Sequence, residues 1–196
     1  MAAYFDDIDT TSRRVRFAHY FTVIYMVLAL IVALGLRDSS LFATTRFSNA
    51  EVGIVAYYPA NWLLDTSGSV MRATDVSQRE FKTVIEISVL PFGTRMSARN
   101  IIDDLTFKRR ESLPYYRSLT TFPSLLRSQD EVIVNEYTFV SALNDPFLVS
   151  VPTVVVGRDV AIERRNQVIL VTFQADARVY ERELAVFERF LDTLEF

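Results

Sequence analysis

The first sixteen residues are mostly polar or small, and then the chain turns apolar without a break. Phe17 to Leu36 reads FAHYFTVIYMVLALIVALGL, 20 residues with no charge. As a helix it covers about 30 Å, the thickness of a bilayer's hydrocarbon core. The pattern therefore predicts a tail over 1–16, one transmembrane helix over 17–36 and a polar linker over 37–50. From residue 51 onward the period changes to short β runs. Val52–Tyr57 reads as a strand ended by Pro59, and 70–76 as a short one. Thr83–Leu90 is rich in β-branched residues, with Ile85, Ile87 and Val89 on one face. Ser97 then has the character of a helix N-cap, and the helix runs to about Ser112 with Ile101, Ile102 and Leu105 inward. Further β segments are predicted at 115–121, 124–129 and 131–142, with a turn at Asn144-Asp145-Pro146. Two long strands, 151–164 and 167–175, form a hairpin across Arg165-Asn166. The last element is a helix capped by Asp176, burying Tyr180, Leu184, Phe187, Leu191 and Leu194 and turning Glu181, Arg182, Glu183 and Arg189 to solvent or a partner. Consecutive β runs with few helices between them predict an α+β fold with an antiparallel sheet, residues 51–196 forming one extracytoplasmic domain.

Charge sets the expected orientation. Arg13, Arg14 and Arg16 precede the apolar run, whereas Arg37 and Arg46 follow it. The excess favours a cytoplasmic N-terminus and a periplasmic C-terminal domain, attached to the cytoplasmic membrane by a single pass. The run is longer than the roughly 7–15 residues of a cleavable signal, so it reads as a permanent anchor. Ala18, Thr22, Ala29 and Ala33 fall along one helix face, with Ala29 and Ala33 four apart. Small residues so spaced let a second membrane helix approach closely. This face is the candidate membrane-helix interface.

Composition narrows the chemistry. Half the residues are apolar, enough for a core. The net charge of −3, with both signs interspersed, argues against nucleic acid as a partner. There is no cysteine, and the one histidine, His19, lies in the apolar run. The soluble part therefore lacks thiolate and imidazole metal ligands and any Ser–His or Cys–His pair. The five glycines are scattered at 35, 53, 68, 93 and 157, so no phosphate loop is formed. Asp103 and Asp104 are adjacent on a helix and diverge. Asp75, Glu80, Asp130, Glu131 and Asp145 are oxygen donors without the spacing of a calcium loop. Trp62, after a proline at a strand exit, reads as core. No catalytic residue, metal or cofactor is expected.

Three stretches, in order, resemble the PsbP-like family, which includes the extrinsic PsbP protein of photosystem II and the Mog-type Ran-binding proteins. Val52–Trp62 (VGIVAYYPANW) is similar to the family's opening strand and Tyr-Pro-x-x-Trp. Val168–Ala175 (VILVTFQA) is similar to its penultimate strand, and Phe187–Phe196 (FERFLDTLEF) to its closing helix. The resemblance covers about 45–196. Asp130-Glu131 stands where the family often has glycine, and 143–152, with Pro146 and Pro152, departs from it. The resemblance implies an αβα sandwich used as a docking module on membrane electron-transfer complexes. With the anchor, it implies a non-catalytic accessory or scaffold subunit of a photosynthetic or respiratory complex, such as an alternative complex III, a cytochrome complex or a reaction centre. Its partners would be the other subunits of that complex and the lipid bilayer. The alternative is a stand-alone anchored ligand-binding or envelope-stress protein.

Overall fold

The computed structural model describes residues 3–41, 43–91, 97–142, 152–164 and 167–196. The chain divides into two units, Met1–Ala43 and Thr44–Phe196. The first is one helix, α1 (Ala3–Leu41). It is long and apolar enough to cross a membrane over Phe17–Arg37, with a mean hydropathy of 2.2. Every residue of that stretch is exposed. The polar tail belongs to the same helix, which at 39 residues is about 58 Å long.

The second unit begins earlier than the sequence pattern suggests. Thr44–Asn49 is a strand, β1, paired with β2 (Ile54–Pro59), so the stretch expected to be a linker holds helix and strand as well. The hairpin turn requires Gly53, whose φ is +69°. Asn49 Oδ1 accepts from the Glu51 and Val52 backbone N–H groups at 3.0 and 3.4 Å. The remaining strands are β3 (Leu63–Asp65), β4 (Met71–Thr74), β5 (Val84–Pro91), β6 (Arg117–Leu125), β7 (Glu131–Ser141), β8 (Thr153–Arg164) and β9 (Gln167–Asp176). They form one antiparallel sheet in the order β3-β4-β5-β9-β8-β7-β6. The longest strands are central, where each pairs on both sides. The segments expected at 115–121 and 124–129 are a single strand, β6, with a bulge between Ser118 and Thr120. Pro123 sits inside it and is tolerated because β6 is the sheet edge.

Strand alternation gives each face its own helix. On one face lie Ile85, Ile87, Val160, Ile162, Ile169, Val171 and Phe173, covered by the β1–β2 hairpin and α3 (Tyr180–Asp192). Phe187 stacks on Phe173 with ring centroids 4.8 Å apart, and Tyr180 lies 5.6 Å from Phe173. Trp62 is buried in this core. The buried positions of α3 are Tyr180, Glu183, Phe187 and Phe190. The face is turned slightly from the expected one: Leu184 and Leu191 are half-buried, and Glu183 is buried against Arg182 rather than exposed. Asp176 does not cap this helix. Its carboxylate accepts from the Arg178 N–H at 2.9 Å, in the turn between β9 and α3, and Val179 is the N-cap.

On the other face α2 (Ala98–Ser112) lies over β7 and β8. Ser97 caps it, its hydroxyl accepting from the Asn100 N–H at 3.2 Å. Ala98, Ile101 and Ile102 pack on Ala161, Val168 and Leu170. The Asn144-Asp145-Pro146 turn, Gly93 and the Arg165-Asn166 turn lie outside the described residues.

Candidate functional site

On α1 the predicted face remains open. Ala18, Thr22, Ala29 and Ala33 are all exposed, and at 100° per residue they fall within about 60° of one another. Thr22 Oγ1 donates to the Ala18 carbonyl at 2.8 Å, so its hydroxyl is satisfied within the helix. The face is therefore smooth and needs no outside polar partner.

In the folded domain, the chemistry-bearing residues gather beneath and beside α2. The ladders place residues of consecutive strands in straight rows across the sheet. One row on the α2 side is polar from edge to edge: Thr121, Asn135, Asp159, Thr172, Glu86, Arg72 and Asp65, one from each of the seven strands. Its middle is buried. Asp159 is fully enclosed and accepts from Thr172 Oγ1 at 2.9 Å and Asn135 Nδ2 at 3.4 Å. Arg109, from the last turn of α2, closes on it with both guanidinium nitrogens, Nη2 donating to Oδ1 at 3.1 Å and Nη1 to Oδ2. Ser118 and Thr121 donate to Asn135 Oδ1 at 2.9 and 3.0 Å. All the sites where this carboxylate accepts are thus filled, as a buried charge requires.

Aromatic packing completes the pair's surroundings. The Arg109 guanidinium lies 4.4 Å from the centre of the Tyr137 ring. Burial works against its charge, but the Asp159 carboxylate outweighs that and raises its pKa. Burial, reinforced by Asp159, pushes the Tyr137 phenol well above its ordinary value. Neither group is poised to exchange a proton near neutrality. The cluster acts as a latch that holds α2 on the sheet, and it holds no free nucleophile.

At the opposite end of α2 from the latch, toward the β6 edge, a strip of sheet is left uncovered. This groove has a volume of about 390 Å³ and is lined by Ala98, Pro123, Leu125, Ile133, Glu131 and Glu163, among others. Leu125 pairs with Glu131, and Glu131 and Glu163 each lie one residue past the Val132–Ile162 pair that ends the β7–β8 ladder. Glu163 is answered locally: it accepts from the Ala98 N–H at 2.5 Å, at the start of α2. Glu131 is exposed and makes no side-chain hydrogen bond or ion pair among the described residues.

The other candidate acids are dispersed. Asp75 accepts from Ser77, Glu80 pairs with Arg178, and Asp130 with Arg164. Asp103 and Asp104 pair with Arg99 and Lys108 on the outer side of α2. Asp145 lies outside the described residues. Among the described residues no three metal-ligating side chains converge. The pattern gave no warning of the role of Arg109, which reads as a helix-end charge, or of Glu163. One signal was present: Asp159 is a charge inside the apolar run of β8, where only a paired charge is tolerated.

No family model matches the chain, and no curated protein matches it. Solved structures do. Cyanobacterial PsbP (CyanoP) from Synechocystis superposes with a TM-score of 0.56 at 11% identity, over 78% of this chain and 92% of that one. This is the PsbP/Mog-like fold. LpqN of Mycobacterium tuberculosis, described as involved in cell envelope biogenesis, gives 0.54 at 10% identity, over 78% of this chain and 89% of its own. The Saccharomyces cerevisiae Ran-binding protein Mog1p gives 0.50 at 10%, over 78% and 95%. The elements the motifs marked are present in order: β2 leading to the buried Trp62, then β9, then α3.

Proposed function

We propose that this protein is a permanently membrane-tethered, non-catalytic accessory subunit of a membrane electron-transfer complex, photosynthetic or respiratory. The observation that carries this reading is the fully exposed apolar stretch Phe17–Arg37 joined to a PsbP/Mog-like domain. A stretch of 21 exposed residues, uncharged but for Arg37 and mostly apolar, is costly in water and favourable in lipid. In this reading α1 spans the cytoplasmic membrane with its N-terminus in the cytoplasm. The Ala18, Thr22, Ala29 and Ala33 face packs against a helix of another subunit. The domain stands on the periplasmic side, docks extrinsic redox subunits and carries no redox centre of its own.

Mild-detergent purification tests it. The wild-type chain is expected to elute within a larger assembly whose absorbance reports bound redox cofactors. Ala29→Leu with Ala33→Leu is expected to release it without altering the domain's circular dichroism. A wild-type chain that always elutes as a free monomer overturns the proposal.

A further inference from the structure

We infer that the groove between the start of α2 and the β6 edge receives an arginine or lysine side chain from a partner protein, with Glu131 as its principal acceptor. The inference rests on the docking role proposed above and names the chemistry of the docked group. Two like charges brought to one groove repel each other. Here Glu131 and Glu163, each one residue past the terminal Val132–Ile162 pair, both line the groove. Glu163 is partly compensated, because it sits on the N-terminal N–H groups of α2, where negative charge is favoured. Glu131 has no such compensation within the described residues. A cation between the two carboxylates removes the repulsion and completes the site.

The floor selects the kind of cation. Pro123, Leu125 and Ile133 are apolar and line the space below the carboxylates. A long basic side chain matches both halves: its aliphatic stem lies on apolar surface while its head meets carboxylate oxygens. A bare metal ion leaves the apolar part of the groove unfilled. Whole-strand addition along β6 is disfavoured, since Pro123 and the bulge at Ser118/Thr120 interrupt that edge. Insertion of a side chain is the remaining mode. The groove opens at the sheet edge, so a partner segment reaches it without unfolding anything.

The test uses the full chain in detergent micelles with methyl-labelled Leu, Ile and Val. The probe is the peptide acetyl-Thr-Val-Arg-Val-Thr-amide, and its control carries citrulline, the neutral isostere, in place of arginine. The arginine peptide is expected to shift the Leu125, Val132 and Ile133 methyl signals. Affinity is expected to fall about tenfold or more with citrulline, with Glu131→Gln, and on raising salt. Equal binding of the two peptides, no shift at those methyls, or an unchanged affinity for Glu131→Gln overturns the inference. So does free arginine amide binding as tightly as the peptide, which would make the groove a small-molecule site. Failure here leaves the purification result untouched, so the two readings fall separately.

Discussion

Gly157 faces Tyr137 across the β7–β8 ladder, and the Tyr137 ring fills the space a side chain at 157 would need. A Cβ there would lie 2.2 Å from Tyr137 Cζ, far inside van der Waals contact. The ring itself is held: its hydroxyl accepts from Gln174 Nε2 at 3.0 Å, and Arg109 covers one face. Gly157→Ala is therefore expected to lower stability by about 1–3 kcal/mol, the usual cost of overpacking a closed core. A urea midpoint close to wild type would show that the ring can move aside.

The latch under α2 makes a prediction about sign. Arg109→Met leaves Asp159 buried and unpaired, which is expected to cost about 3–5 kcal/mol. Pairing Arg109→Met with Asp159→Leu is expected to be milder than Arg109→Met alone, because no charge is then stranded. Denaturant midpoints of the single and double variants decide it. An additive double variant would mean that the pair is not coupled.

Acid sensitivity follows from two aspartates. Hydrogen bonds from Arg164 and Ser128 hold Asp130 below the usual carboxylate range, and the hydrogen bond from Arg178 does the same for Asp176. A folded-state pKa lower than the unfolded one stabilises the fold above the unfolded value of about 3.9, and that contribution disappears as pH falls through the folded value. Stability is thus expected to be level from neutrality down to about pH 5 and to decline below about pH 4. Asp130→Asn is expected to be less stable than wild type at neutral pH, with the gap closing in acid. A gap of the same size at both ends of the titration would disprove the assignment.

The stacking of Phe187 on Phe173 is the centre of the larger core. Phe187→Ala removes a fully buried ring and is expected to cost about 3–5 kcal/mol. Thermal unfolding followed by near-ultraviolet dichroism measures it. A loss below about 1 kcal/mol would mean that α3 closes over the gap.

How legible these features were in the sequence depended on whether burial was decided locally. β5, α2 with its Ser97 cap, and the β8–β9 hairpin are readable because β-branched runs or a cap mark them locally. β1 is not. It buries only Phe47 among polar neighbours, so nothing alternates. β6 reads as two segments because Pro123 interrupts the pattern, and only its place at the sheet edge lets one strand run through it. On α3 the expected apolar face packs on the core, and Glu183 departs from expectation because its charge reads as outward-facing where the fold buries it beside Arg182. The groove was invisible for a different reason. Glu131 and Glu163 come to line one groove only because β7 and β8 are paired, in a register that period alone does not set.

Residue Glu195 exchanges two backbone hydrogen bonds of 2.9 Å with Val55. The opening hairpin is thus tied to a stretch that leaves the ribosome some 140 residues later. The central ladder has the same property, since β5 waits for β9. Contacts this distant along the chain form slowly. The β1–β2 hairpin therefore has to stay unsealed, with its apolar side unsheltered, until the closing helix arrives.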